Sequence, residues 1–237
     1  MRTGHCRATV DHHIRFVFTV LLVFIALGRS AKAQNSTFQE WFSLPATYDV
    51  GTAELRPQLW TDLHVRRRSG STLFIVRPAV GLRFNGTVTA HVGYAWISTF
   101  QDAAAPDSHE HRLFQQVILN FAQLPPLTFQ ARTRLEQRLS TLGSDVGLRV
   151  RQFVRAGWRI AGNAPYLLVL WDEIFVGLND LDWGPRAGYD QNRLFFGPGV
   201  DVQGVGGRFE LGYLWNNIRG RPDVNAHVLF VQLVVAL

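Results

Sequence analysis

The residues with the most chemical potential in this chain are arginines and carboxylates that recur at every second position. Arg149, Arg151, Arg155 and Arg159 form one run and Arg132, Arg134, Glu136 and Arg138 a second, while Arg112, Glu173, Arg193 and Glu210 keep the same phase in neighbouring segments. Fifteen arginines fall on that phase, against seven acids: Glu54, Asp62, Glu110, Glu136, Glu173, Asp201 and Glu210. Guanidiniums confined in such number can do two things. Paired with the acids they make a stiff polar scaffold, because isolated buried ions cost several kcal/mol each. Left in surplus they line a route that favours anions, as rings of charged side chains do in pores. Arg149, Arg151, Arg155 and Arg159 would be the ladder of such a route.

Other constellations carry less. His109 and His111, flanked by Asp107 and Glu110, have a same-face spacing that could hold a metal, but they abut a loop, where an exposed polar tip is the plainer account. Ser108, His109 and Asp107 contain the residue types of a hydrolase, yet nothing in their spacing demands that role and no nucleophile elbow is present. Asn179, Asp180 and Asp182 could offer oxygens to calcium, without the glycine and distal glutamate of a calcium loop. The expectation is therefore a charge network with no catalytic set, no metal and no cofactor.

Residues alternating in this way belong on strands, whose side chains point to opposite faces with period two. From Glu54 to Leu237 the chain divides into ten such segments, one of which, 127–139, sets Leu127, Phe129, Ala131, Leu135 and Leu139 against Gln130, Arg132, Arg134, Glu136 and Arg138. A soluble periplasmic β-sandwich would put the apolar face inside; a membrane barrel would put it outside. Most segments run 11 to 15 residues, whereas globular strands are usually about 5 to 6 and a tilted membrane crossing takes about 9 to 11. The polar face carries Arg and Glu almost to the exclusion of Lys, and Arg suits confined, multiply hydrogen-bonded pairs. Tyr94, Trp96, Trp158, Tyr213 and Trp215 share the apolar phase near segment ends, where barrels carry aromatic girdles. Turns at 85–86, 122–126, 161–164 and 204–206 alternate with mostly longer connections at 69–71, 98–108, 140–145, 177–191 and 218–226, the asymmetry of short periplasmic and long external loops. The predicted fold is all-β: an antiparallel transmembrane β-barrel of about ten strands with an arginine-rich lumen. Twelve strands are reached only if 37–44 adds one and a partner for it exists.

The first 33 residues read as a targeting segment. Arg2, Arg7 and Arg15 precede an apolar run from Phe16 to Leu27, and Ala31-Lys32-Ala33 supplies small residues for cleavage before Gln34. The expected organisation is a signal peptide over 1–33, a lead-in or extra strand over 34–53, and a barrel over 54–237. Removal of the signal leaves 19 basic and 17 acidic residues, so the basic balance of the whole chain is no argument for nucleic-acid binding. Cys6, the sole cysteine, leaves with it, which excludes disulfides and thiol chemistry from the mature chain.

An ordered series of motifs spans the remainder: Arg112 to Gln116 (RLFQQ), Arg132 to Arg138 (RTRLEQR), Gly147 to Arg151 (GLRVR), Asp172 to Phe175 (DEIF), Asp190 to Arg193 (DQNR), Glu210 to Tyr213 (ELGY) and a closing strand containing His227. Taken in order they resemble the family called domain of unknown function 2490. The resemblance implies a bacterial outer-membrane barrel and implies no substrate or chemistry. One departure is the ending Val235-Ala236-Leu237, where many outer-membrane barrels end in Phe. The expected location is the outer membrane of a Gram-negative bacterium. The expected partners are outer-membrane lipid, lipopolysaccharide and the barrel-assembly machinery, with small anionic solutes if the lumen is open. The expected role is a structural barrel or a narrow, porin-like, anion-favouring channel. The alternatives are a barrel hydrolase acting on lipid or peptide at the rim, and the soluble sandwich.

Overall fold

Alternation at period two does produce strands, and they are longer than the sequence pattern alone marks. The computed structural model describes residues 35–237 except 52–54, 85, 103–105, 161–163, 203–205 and 221. The expected signal segment 1–33 and the acid Glu54 lie outside the described residues. Twelve strands follow one another: β1 (Asn35–Asp49), β2 (Leu55–Arg68), β3 (Ser71–Val76), β4 (Ala79–Phe84), β5 (Val88–Gln101), β6 (Ser108–Leu124), β7 (Leu127–Ser140), β8 (Gly147–Arg159), β9 (Tyr166–Gly177), β10 (Gly188–Val202), β11 (Gly207–Ile218) and β12 (Val224–Ala236). Among the described residues no helix is long and apolar enough to cross a membrane.

The segment between the expected turns at 69–71 and 85–86, which alternation reads as one strand, is broken into β3 and β4 at Arg77-Pro78. Proline has no N–H for the ladder, and the break is bridged by Arg77, which exchanges backbone hydrogen bonds with Asp62 at 3.1 Å in both directions. β3 pairs with residues 63–68 of β2 and β4 with residues 55–60, and both pair with β5 on the other side. The two pieces thus occupy one position in the wall.

Closure comes from β1. It pairs antiparallel with β2 and parallel with β12, Asn35 opposite Val224 and Thr47 opposite Ala236. Every strand then has a neighbour on both sides and the sheet is a closed barrel with eleven wall positions. The expected barrel of about ten strands, twelve at most, is found with twelve strands in eleven wall positions, and it departs from the expected antiparallel sheet only at the parallel β1–β12 contact. The stretch 37–44 is part of the wall rather than a lead-in, and it needs no further partner because a parallel contact can close an odd ring. Closure also removes the two-sheet sandwich as an architecture. Connections at one end span 50–54, 85–87, 125–126, 160–165 and 203–206; those at the other span 69–70, 102–107, 141–146, 178–187 and 219–223. The former is called the short-turn end below and the latter the long-loop end, although the strands extend so far into the loops that the asymmetry is milder than the sequence suggested.

The phase assignment holds around the ring. Phe38, Leu55, Val80, Leu113, Leu139 and Phe196 are among many large apolar side chains left exposed on the outside. The outer belt is interrupted by cross-strand polar pairs that satisfy one another: Gln115 with Gln137 (3.1 Å), Thr133 Oγ1 to Gln152 (2.6 Å) and Asn192 Nδ2 to Asp172 (2.9 Å). The inside holds the charges and, in addition, two apolar clusters, one around Trp41, Trp171, Phe195 and Phe230 and one around Trp60, Ile97 and Phe114. A barrel of this circumference is only slightly wider than the eight-stranded kind that side chains can fill, and these rings occupy part of its interior.

Candidate functional site

The densest cluster is built where β7, β8 and β9 face the interior. The β7–β8 register sets Glu136 opposite Arg149 and Arg134 opposite Arg151. Like charges directly opposed destabilise a sheet pair, whereas diagonal neighbours two residues away remain within reach of long side chains. Glu136 is directly opposite Arg149 and diagonal to Arg151, and Glu173 is diagonal to Arg151 from the other side. Glu136 Oε2 accepts from Arg149 Nε (3.0 Å) and Nη2 (2.7 Å), and its Oε1 accepts from Arg151 Nη1 (2.7 Å). Arg112 and Arg134 approach the same carboxylate at 3.7 and 3.8 Å. Glu173 on β9 accepts from Arg151 Nη2 (2.7 Å) and Arg132 Nη2 (2.5 Å), with Arg193 at 3.7 Å. Arg138 and Arg112 share Glu110 at 2.6 and 2.7 Å.

Toward the short-turn end Glu210 is still buried, while the pairs of Asp201 and Asp49 are more exposed. Arg155 donates to Glu210, Arg159 and Arg208 both donate to Asp201 at 2.6 and 2.7 Å, and Arg83 donates to Asp49 at 2.6 Å. All twelve residues expected in the network are therefore found inside, each with a partner, and the four of the proposed ladder, Arg149, Arg151, Arg155 and Arg159, are each committed to an acid. Arg134 keeps 0% of its surface and Glu136 1%; a guanidinium facing an aqueous pore would keep far more.

Two acids were misplaced by sequence reasoning. Asp190, expected in an external loop, is buried and takes Arg149 Nη1 at 2.9 Å. A register shift between Tyr189 and Gln191 in the β9–β10 pairing turns it inward, and a bulge of this kind breaks the period-two count that would have found it. Asp49 lies beyond the stretch 37–44 in which the sequence marks a strand, at the end of the longer β1.

Neutral partners were missed as well. Arg134 donates Nε and Nη2 to Gln116 (2.9 and 2.5 Å), Gln116 meets His91 (3.2 Å), and His91 meets Gln58 (2.8 Å), a chain that runs from β7 to β2. Aromatic faces take up further charge. Arg66, without an ion pair among the described residues, lies 4.0 Å over Trp41, and Arg134 lies 4.4 Å over Phe114. Cation–π contacts of this kind strengthen when desolvated. Alternation could not reveal these aromatics, because on the inward phase they are interspersed with the arginines.

The weaker constellations do not converge. His109 Nδ1 meets Ser98 Oγ at 2.9 Å, His111 Nδ1 meets the Tyr94 hydroxyl at 2.5 Å, and Asp107 accepts from the Gln101 amide at 2.9 Å. Among the described residues no group of three His, Cys, Asp or Glu is placed to hold a metal ion. Asp180 and Asp182 instead bind loops together: Asp180 accepts from the Ala187 amide (2.8 Å), and Asp182 from the Ser144 amide (2.8 Å) and hydroxyl (3.0 Å). Hydrogen bonds from Ser144, the backbone one foremost, hold the Asp182 carboxyl below its usual value.

The chain resembles known sequences along nearly its full length. The family described as Protein of unknown function (DUF2490) matches residues 38–227. An uncharacterized protein of Methylorubrum extorquens is 31% identical over 234 residues, covering 94% of this chain and 98% of the relative. The matched region takes in β2 to β11 and most of β1, hence the whole charge network from Asp49 to Glu210, and on that basis the chain belongs to the family described as Protein of unknown function (DUF2490).

Proposed function

We propose that the protein is an integral β-barrel of a Gram-negative outer membrane, exported behind a signal peptide over 1–33, and that it acts as a structural barrel sealed against through-flow. The observation that carries this reading is the inversion of faces: the outside is apolar and exposed while the inside holds guanidiniums with almost no accessible surface. A soluble protein rarely leaves contiguous apolar patches above a few hundred Å² in water, and a belt running around the barrel matches the solvent of a bilayer. With the short-turn end in the periplasm, the partners would be outer-membrane lipid, lipopolysaccharide and the machinery that assembles barrels.

The seal is favoured over the narrow anion-selective channel because the arginines of the long-loop half hold acids instead of facing water. Arg149, bound to both Glu136 and Asp190, ties β8 to β7 on one side and to β10 beyond β9 on the other. Membrane fractionation, paired with planar-bilayer recording of the purified chain, tests both parts. The protein should sediment with outer membranes, shift its gel mobility on boiling and pass no steady current. Recovery in the soluble periplasm would reject the membrane reading, and a steady anion current would reject the seal.

A further inference from the structure

The long-loop half of the interior holds buried ion pairs around Glu136, whereas the short-turn half holds a cavity of about 600 Å³, within the range of about 300 to 1,000 Å³ usual for small-molecule pockets. It reaches the short-turn rim at Thr47, Gly206 and Val234 and ends at the Arg151–Glu173 pair. Part of its wall is aromatic. Trp171 lies 5.6 Å from Phe153 and 5.8 Å from Phe230 between ring centroids, and all three line the space.

The wall next to those rings is cationic. Arg132 stands opposite Phe153 in the β7–β8 register, its guanidinium carbon 4.8 Å from the ring, and Arg155 follows two residues along β8. Their side chains keep 18% and 15% of their surface, where Arg134 and Arg151 keep 0% and 4%. Arg132 gives Nη2 to Glu173, while its buried Nε has no hydrogen-bond partner among the described residues. Around the cavity six arginines (77, 132, 151, 155, 193 and 208) face four carboxylates, those of Asp62, Glu173, Asp201 and Glu210.

We propose that this cavity is a binding site for an amphipathic organic monoanion, a flat aromatic body carrying one carboxylate. The body would lie against Phe153, Trp171 and Phe230, and the carboxylate would take N–H groups of Arg132 and Arg155. A guanidinium fork matches a carboxylate in shape, and a surplus of cations behind low-dielectric walls favours an anion over its neutral or cationic counterpart. An inorganic anion would satisfy the arginines and leave the rings uncovered. The site goes beyond the membrane reading and does not rest on it.

Isothermal titration of the purified full chain in detergent tests the proposal, with 2-naphthoate as probe and 2-naphthylmethanol and 2-naphthylmethylamine as matched neutral and cationic controls. Naphthoate should bind saturably with one site per chain, and at least tenfold more tightly than either control. Arg132→Gln should weaken it at least tenfold. Val234→Trp, which fills the mouth and removes no charge, should abolish it, so that one of the two variants carries the test if the other fails to fold by heat-modifiability on gels. Arg186→Gln, in the 178–187 loop, should bind as the parent does. No saturable binding at millimolar naphthoate, equal affinity for the neutral control, or undiminished binding to folded Val234→Trp would each overturn the proposal.

Discussion

Arg149 straddles Glu136: its Nε and Nη2 both donate to the single oxygen Oε2, at 3.0 and 2.7 Å. Because the other oxygen serves Arg151 at 2.7 Å, one carboxylate joins two arginines on the same strand, the one directly opposite it and the one on the diagonal. Removing it would leave buried positive charge uncompensated: Arg149 would keep Asp190 and Arg151 would keep Glu173, while Arg134 would have no carboxylate within 4 Å among the described residues.

Glu136→Ala is therefore expected to cost about 3 to 5 kcal/mol, the range for breaking a buried pair by deleting one partner. Equilibrium unfolding by denaturant in detergent would measure it. An exposed pair is worth under about 1 kcal/mol, so a loss that small would mean that water occupies the lumen beside Glu136, and the seal would have to be abandoned.

The parallel contact between β1 and β12 makes a prediction about topology. Asn35 lies beside Val224 at the long-loop end, while Leu237 follows β12 at the short-turn end. An even-stranded antiparallel barrel would bring both to the same end. An epitope inserted directly before Asn35 and another after Leu237 should thus fall on opposite sides of the membrane. In intact cells, antibody should stain the first and reach the second only after permeabilisation. Staining of the second alone would mean that the barrel sits the other way up, and identical behaviour of the two would contradict the eleven-position ring.

Much of this was legible in the sequence, for a physical reason. Every strand with one polar and one apolar face writes its orientation in every residue, so the inward phase of β7, β8 and β11 could be read directly, and with it the positions of Glu136, Arg151 and Glu210. What could not be read were the departures from period two. The bulge at Tyr189/Gln191 hid Asp190, and the Pro78 break split a segment that alternation treats as one. The barrel itself was legible, but its parallel β1–β12 seam was not, because strand pairing between the two ends of a chain leaves no local mark. Nor does alternation rank the residues of one face by depth, so nothing in the sequence separated the buried ion pairs around Glu136 from the cavity beside Arg132 and Phe153.

Above the barrel, the connections 141–146 and 178–187 are latched to each other. Asp182 Oδ2 accepts from the Ser144 amide at 2.8 Å, Asp182 donates its own amide to Asp145 at 2.8 Å, and Trp183 Nε1 donates to the Asp145 carbonyl at 2.8 Å. The latch carries Trp183 to a position 5.0 Å from the guanidinium carbon of Arg138, over the long-loop end of the charge network. The Asp182 carboxyl is held below the ordinary aspartate value of 3.8, first by the Ser144 backbone hydrogen bond. A carboxyl depressed in the folded state stabilises that state fully above its unfolded value and loses the contribution as pH falls through the folded one. The latch should accordingly be intact at neutral pH and release only in acid, below about pH 4. Amide chemical shifts of Ser144 and Asp145, followed by NMR in micelles, should titrate together with a midpoint under 3.8, and Asp182→Asn should remove that titration while leaving the barrel strands unperturbed. A midpoint at or above 3.8 would show that the carboxyl gains nothing from these amides, and that the two loops are held by Asp145 and Trp183 alone.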